Sequence, residues 1–389
     1  MSEMPFDPLL ECGIFRHAVI PVPVRIDCHM ERFVSRLINP PAKKVLMKFP
    51  DPAYGEIEVT EPVLLEVIMS SPLQRLKGLN QYGSWQFILP KMKSSRFEHS
   101  LGVCFLLRRL TASIEEQMAG LMHDMSHTAF SHVVDYLYRQ EDTQEHHESL
   151  FQQIFMGSQI PKIAQTNGIK PEIFLEKENF LLLDKPIPDL CADRLDYFFR
   201  DSVLLGVCKK DDIKLFMEHL VVREGEILVD NAAIAKNMAI AFLECSKKFY
   251  ASPTQAASFQ ILADAIKSGL AAGVISEKDF MLTDLQLYGK LRSSKNLDIT
   301  SKLDILNPDF FAMNSPEDFD FYVKTKPRHI DPKVIQGEKM SRLSELDSDY
   351  KKQMLDFIEK VSAGYYVKVF PRLKTLGSRP DGAEFPKSG

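Results

Sequence analysis

The residues best equipped for chemistry lie between Leu121 and His132, in LMHDMSHTAFSH. His123, Asp124, His127 and His132 fall within ten positions of a chain that has ten histidines in all. Imidazole nitrogen beside carboxylate oxygen suits a first-row divalent metal, and such an ion lowers the pKa of a bound water until it becomes a nucleophile near neutrality. On a helix, His123 and His127 share a face one turn apart, and Asp124 is turned about 100° from His123. The structural alternative is a helix end whose histidines cap carbonyls. It accounts for one imidazole more readily than for three beside a carboxylate.

An ion needs donors from elsewhere in the chain. RFEHSLGV sets Arg96 and His99 one turn apart at the start of a helix that Ser95 can cap, and His99 lies 24 residues before His123. That is the length of a helix, a turn and a helix returning, so an antiparallel pair can bring His99 to His123 and Asp124. Further on, ADRLDYFFRD places Asp193, Asp196 and Tyr197 on one helical turn, with Arg200 and Asp201 on the next. Asp193 is a candidate fourth ligand. The same alternation of Asp and Arg describes a solvated helix laced with intrahelical pairs, which is the better reading of Asp196 with Arg200.

The elements that must position these residues read as mostly helical. Val45 to Glu61 predicts a hairpin around a Pro-Ala-Tyr-Gly turn. Leu73, Leu76, Leu79 and Tyr82 then fall at three-residue steps, and helices are expected from the Ser95 cap through His99 to Leu110, then Ile114 to Ser126, Phe130 to Tyr138, Gln144 to Phe155 and Pro188 to Leu205. NFLLLD at 179–184 fits a strand or a buried helix equally. A second hairpin is expected at 220–230, and long core helices at 232–250 and 254–272. Alternation at 318–335, an amphipathic helix from Ser341 to Val361 and a strand at 364–372 predict a small mixed α/β lobe at the end. The expected fold class is therefore mainly α, a helical bundle with small β-hairpins. Its divisions are an N-terminal arm at 1–44, a core at 45–275, a C-terminal lobe at 276–375 and a disordered tail at 376–389.

Composition narrows the function classes. The 45% apolar and 26% charged shares describe an ordinary folded protein. Six cysteines without a CxxC pair point to a reducing compartment, with neither a disulfide framework nor a zinc ribbon. The chain does not open on a basic stretch followed by an apolar one, and no run of eighteen apolar residues occurs, so a cytoplasmic or nuclear protein without membrane partners is expected. A net charge of −5 argues against general nucleic-acid binding.

RFEHSLGV, AGLMHDMSHTAFSH, HHES and ADRLDYFFRD, in that order, resemble the HD-domain metal-dependent phosphohydrolases, and within them the deoxynucleoside triphosphate triphosphohydrolases. The likeness runs from about Phe49 to about Gly206. It implies an HD helical bundle with His99, His123, Asp124 and Asp193 as metal ligands. It also implies His127 and His147 as catalytic residues, with Asp135 orienting His147 and Arg96 facing a phosphate. Gln81 and Asp201 match residues facing the sugar, Tyr197 and Tyr250 aromatic walls, and Arg194 a lysine near the phosphates. The implied cofactor is iron, manganese, zinc or nickel, with magnesium on the substrate phosphates. The implied partner is a nucleotide, and a homo-oligomer, dimer or higher, is compatible with the likeness. The chemistry suits these roles: Arg96 can neutralise phosphoryl charge as a bidentate donor, and His147, near neutrality, can protonate a leaving oxygen. His132 divides evenly between site wall and structural hydrogen bonding, while His17, His29, His146, His219 and His329 read as structural or surface residues.

The chain departs from the pattern at several places. Ser126, Thr128 and Ala129 replace the glycines and proline that follow the HD pair in the family, so a differently shaped loop is expected. Lys77 stands where an arginine is matched and no acidic residue occurs in IMSSPLQRLK, so the likeness does not extend to nucleotide-triggered assembly. Phe242 replaces a phosphate-contacting arginine, which admits a monophosphate, an unusual nucleotide or another phosphoester as substrate. A third reading is a non-catalytic nucleotide- or nucleic-acid-binding HD protein.

Overall fold

Strands β1 (Met47–Asp51) and β2 (Gly55–Val59) pair antiparallel with Asp51 opposite Gly55, as the Pro-Ala-Tyr-Gly turn requires. The structure is a computed structural model that describes residues 46–139 and 148–370. The expected arm and tail, and His17, His29, His146 and His147, lie outside the described residues.

The three-residue spacing of Leu73, Leu76 and Leu79 has a local cause. Helix Ser71–Arg75 passes into a 3₁₀ turn at Leu76–Gly78, where side chains three apart eclipse one another. The chain then runs extended, and its backbone is zipped to the approach to the next helix: Gln81 N donates to Ser94 O at 2.9 Å, and Arg96 N to Leu79 O at 2.9 Å. This pairing sets Gln81 opposite Ser94, two residues before Arg96.

Helix Arg96–Arg109 opens on a full capping box, Ser95 with Glu98, and Arg108 and Arg109 lie in its last turn, where cations oppose the helix dipole. Helix Ile114–Met122 folds back against it, and helix Ala192–Leu204 packs across both His99 and Gly102. Ala232–Cys245, followed by a π-turn at Ser246–Tyr250, and Pro253–Ala271 complete the core. The fold is thus the helical bundle with small sheets that the sequence predicts.

The sheets are connected differently from the expected closing lobe. Strands β3 (Leu220–Arg223) and β4 (Glu226–Val229) form the second hairpin, with Glu224 and Gly225 both at positive φ. Strand β4 then pairs parallel with β7 (Lys333–Gln336), which pairs with β8 (Lys339–Arg342), giving the order β3-β4-β7-β8. A separate sheet, β5-β9-β6, joins Phe311–Asn314, Tyr365–Phe370 and Phe321–Val323. Of the alternating stretch 318–335, only the two ends are strands. NFLLLD is neither strand nor helix but a turn after a 3₁₀ segment. No described helix is long and apolar enough to cross a membrane.

Candidate metal centre and substrate cavity

The histidine-rich stretch does not continue the helix before it. Helix Ile114–Met122 ends with His123 as its C-cap, so His123 and His127 do not share a helical face. The expectation of a helix to Ser126 is corrected by what holds the loop open. Arg75 donates to His127 O at 2.6 Å and to Met281 O at 2.7 Å, and Phe280 O and Asp284 Oδ1 accept from the amides of Ala129 and Phe130 at 2.7 Å each. Phe130 and Ser131 take the left-handed region, at φ 62° and 57°. Partners from residues 75 and 280–284 thus replace the helical hydrogen bonds.

His99, His123, Asp124 and Asp193, from three separate elements, converge. His99 Nε2 is 3.2 Å from His123 Nε2, 2.9 Å from Asp193 Oδ1 and 3.7 Å from Asp124 Oδ2. His123 Nε2 is 3.5 Å from a carboxylate oxygen of Asp124 and of Asp193. Donors sharing one ion at bonds of about 2.1 Å are about 3.0 to 3.5 Å apart; His99, His123 and Asp124 come close to this as a group that could hold a metal, and Asp193 reaches both histidines. The outer nitrogens strengthen the case. His123 Nδ1 donates to Gly120 O at 2.8 Å and His99 Nδ1 faces Asp196 Oδ2 at 2.7 Å. Each ring therefore directs an Nε2 lone pair at the other and at two carboxylates, a cluster of acceptors that only a cation or protons can reconcile. Burial disfavours a charged His99, but Asp193 and Asp196 outweigh it and push the imidazole up to about 10.

Asp124 touches the remaining machinery. Burial works against its charge, yet Arg96 Nη1 at 2.5 Å and the surrounding histidines hold its carboxyl well below the usual range. His127 Nε2 lies 3.1 Å from Asp124 Oδ1, and burial with the Arg96 charge keeps this imidazole neutral. Arg96 Nε also reaches Ser131 Oγ at 2.8 Å. His132 has both of its anticipated characters: it lines the cavity, and its Nδ1 lies 2.9 Å from Asp135. The matched partner of Asp135, His147, is outside the described residues.

Asp196 is not on a solvated helix face. It is completely buried, and besides His99 it meets Arg200 Nε at 2.7 Å and accepts from the Tyr54 hydroxyl at 2.8 Å. Arg200 in turn pairs with Asp51 at 2.8 Å. The intrahelical pair exists, but it is the support of a donor histidine, braced by the β1–β2 hairpin. Sequence spacing cannot separate these cases, although Gly102 carries a signal: a Cβ there would lie 1.9 Å from Asp196 Oδ1.

The donors open into a cavity of about 1130 Å³. Gln81, Tyr197, Asp201 and Tyr250 line it, as matched. Tyr197 and Tyr250 meet edge to face at 5.3 Å. Asp201 accepts from the Tyr82 hydroxyl at 2.7 Å, and burial pushes its carboxyl up to about 7. Gln81 Oε1, Gln255 Oε1, Ser126 Oγ and Tyr197 Oη are buried without a hydrogen-bond partner among the described residues. Arg194 also lines the cavity, but its terminal nitrogens hold the carbonyls of Lys185, at 2.9 Å, and Asp189. Phe242 is core, fully buried against Tyr197 and Phe198. The residues that sequence reasoning missed are Gln255, Lys326 and Arg328. His219 pairs with Asp230, and His329 with Pro327 O, both away from the donors.

Residues 96–198, which carry all four donors, match the HD domain family model. The uncharacterized protein YdhJ of Bacillus subtilis is 36% identical over 324 residues, covering 83% of this chain and 99% of YdhJ. The metal-dependent phosphohydrolase cns2 of Cordyceps militaris is 31% identical over 299 residues, 74% of this chain and 85% of cns2. The deoxynucleoside triphosphate triphosphohydrolase SAMHD1 of Bos taurus is more distant, 27% identical over 239 residues, with 46% of this chain and 40% of SAMHD1 covered. A cluster of opposed acceptors inside the matched segment, with similarity over 74% of the chain to a metal-dependent phosphohydrolase, leads to one conclusion: the chain belongs to the HD-domain metal-dependent phosphohydrolases.

Proposed function

We propose that this hydrolase acts on nucleotides, deoxynucleoside triphosphates foremost, releasing the nucleoside and tripolyphosphate. The observation that carries the reading is the junction of two kinds of unmet demand. His99, His123, Asp124 and Asp193 present acceptors to one point, and the adjoining cavity holds buried, unpartnered amide and hydroxyl oxygens suited to a sugar or a base. Likeness to SAMHD1 over part of the chain adds the triphosphate.

In this reading the four donors hold a divalent transition ion, which when bound supplies positive charge and acidifies water. Arg96 keeps Asp124 ionised and offers a fixed cation beside the phosphoryl group as charge develops. His127, its Nε2 engaged by Asp124, stands beside the phosphate as a catalytic residue. His147, outside the described residues, is the acid that protonates the leaving oxygen in this reading. Gln81 and Asp201 address the sugar, Tyr197 and Tyr250 enclose it, and Arg194 shapes the phosphate side by fixing the 185–191 loop. Magnesium accompanies the phosphates as they arrive. A second reading, a nucleotide with fewer phosphates, is favoured by the Phe242 and Arg194 environments, since neither offers a cation to a long tail.

The test is a screen of metal-analysed protein against deoxynucleotides, ribonucleotides and monophosphates, with products separated by ion exchange. Tripolyphosphate from a deoxynucleoside triphosphate supports the first reading. Orthophosphate from monophosphates alone supports the second, and no turnover on any nucleotide contradicts both.

A further inference from the structure

Residues 324–332 run without regular structure from β6 to β7, yet they are fastened along their length. Ser246 Oγ donates to Arg328 O at 2.7 Å, and Arg328 N to Lys326 O at 2.9 Å, closing a three-residue turn about Pro327. The Tyr350 hydroxyl donates to Ile330 O, and Asp331 N to Pro188 O at 3.0 Å. The Asp331 carboxylate accepts from Ser344 N and Oγ at 2.9 and 2.6 Å. Thr325, Ile330 and Asp331 are buried. A connector held this firmly is a rigid strap rather than an ordinary surface loop.

The strap carries two of its three cations, Lys326 and Arg328, into the wall of the substrate cavity. The Arg328 guanidinium lies over the Tyr197 ring, 5.6 Å from its centroid. Tyr197 stands one helical turn beyond Asp193, on the same face of Ala192–Leu204. Arg328 therefore shares the cavity wall with a residue one helical turn from a donor. It is also close enough to His132 for its charge to oppose protonation of that ring.

We propose that Lys326 and Arg328 form an anion subsite for the part of a polyphosphate tail that extends beyond the phosphoryl group at the donor cluster. The proposal rests on the hydrolase reading above and names the grip it would have on a long tail. Arg328 brings a planar fork able to take two phosphoryl oxygens, and Lys326 a point charge on the same turn. The fixed backbone of the strap presents both without an ordering cost on binding.

The test uses metal-loaded, full-length protein and inorganic tripolyphosphate as the probe. Calorimetry should show that the double variant Lys326→Gln/Arg328→Gln binds tripolyphosphate at least about tenfold more weakly than wild type, with the difference shrinking as salt rises. Arg328→Lys, which keeps the charge and loses the fork, should fall between them, and it carries the test if the double variant misfolds by circular dichroism. In turnover, KM for a nucleoside triphosphate should rise by a similar factor with kcat changed less than about threefold, while KM for the monophosphate of the same nucleoside stays put. Equal binding by wild type and variants, no binding by wild type, or an equal rise of KM on both substrates overturns the subsite. The calorimetric arm needs no turnover. A protein that binds tripolyphosphate through these residues yet cleaves no nucleotide would contradict the substrate reading and leave the subsite standing.

Discussion

The two sides of the cavity are built to opposite standards. Around His99 and Asp196 the protein supplies the partners itself: carboxylate on imidazole, Tyr54 and Arg200 on Asp196, Asp51 on Arg200. Elsewhere in the cavity wall, oxygens of Gln81, Gln255 and Tyr197 are equally buried and have no such partners among the described residues. Leaving a buried polar group unmatched costs about 1 to 3 kcal/mol, so the second side is tolerable only where something else completes it. The difference separates preorganisation from recognition. One side is largely finished before any ligand arrives, with Arg200 Nη1 alone of the groups named there left unmatched, and the other is left for a ligand to complete.

The comparison breaks most sharply at Gly102. A methyl group there would meet Asp196 Oδ1 and Arg200 Nη2 at 1.9 and 2.2 Å, so Gly102→Ala should drive apart a buried ion pair and cost about 3 to 5 kcal/mol, read by chemical denaturation. A near-neutral result would mean that the support is not rigid. Asp201, on the recognition side, comes next. Its folded pKa of about 7 lies above the unfolded value of about 3.9, so its contribution to stability is fully present below about pH 4 and is lost as pH rises through about 7. Asp201→Asn, neutral throughout, should match wild type near pH 4 and exceed it by on the order of 2 to 4 kcal/mol at pH 8. A gap independent of pH would place the carboxyl in a wetter site than described.

Asp196→Asn tests the supporting side from within. Loss of an outer partner to a ligating histidine typically weakens metal affinity by about 10- to 100-fold, so metal titration should show that loss while KM of substrate on the fully loaded protein stays near wild type. Smallest of all, Tyr197→Phe removes an unmatched hydroxyl. It should stabilise the free protein by about 1 kcal/mol and still raise KM several-fold, the signature of a group that serves the ligand and not the fold. Destabilisation with unchanged KM would reverse the assignment.

The same contrast explains what could be read from the sequence. Ser95, the hairpin turns and the helix periods are local features, and the hairpins and the helix after Ser95 are present as they predict, although the helix from Ile114 stops at Met122. The order of the motif blocks carried the family. The loop after His123 was not legible, because the spacing of 123 and 127 suits a helix and nothing local announces that Arg75 and Asp284 hold Met125 to Ser131 open. Asp196 was misread since an i,i+4 pair looks the same on a wet face as at the centre of a bundle; only the distant Tyr54 and Asp51 tell them apart. Lys326 and Arg328 sit in a run whose alternation suggests strand. Their place in the cavity depends on Ser246, Tyr350 and the parallel β4–β7 pairing, all remote in sequence.

The central claim is that one cluster of donors serves both metal binding and hydrolysis. The most direct measurement is metal stoichiometry alongside nucleotide turnover in wild type, His123→Ala and Asp124→Ala, purified in parallel with folding checked by circular dichroism. The account predicts that wild type holds metal and turns over, that chelation stops turnover until metal is restored, and that both variants lose the metal and at least about a thousandfold in rate. Either variant retaining wild-type metal content and turnover would contradict it.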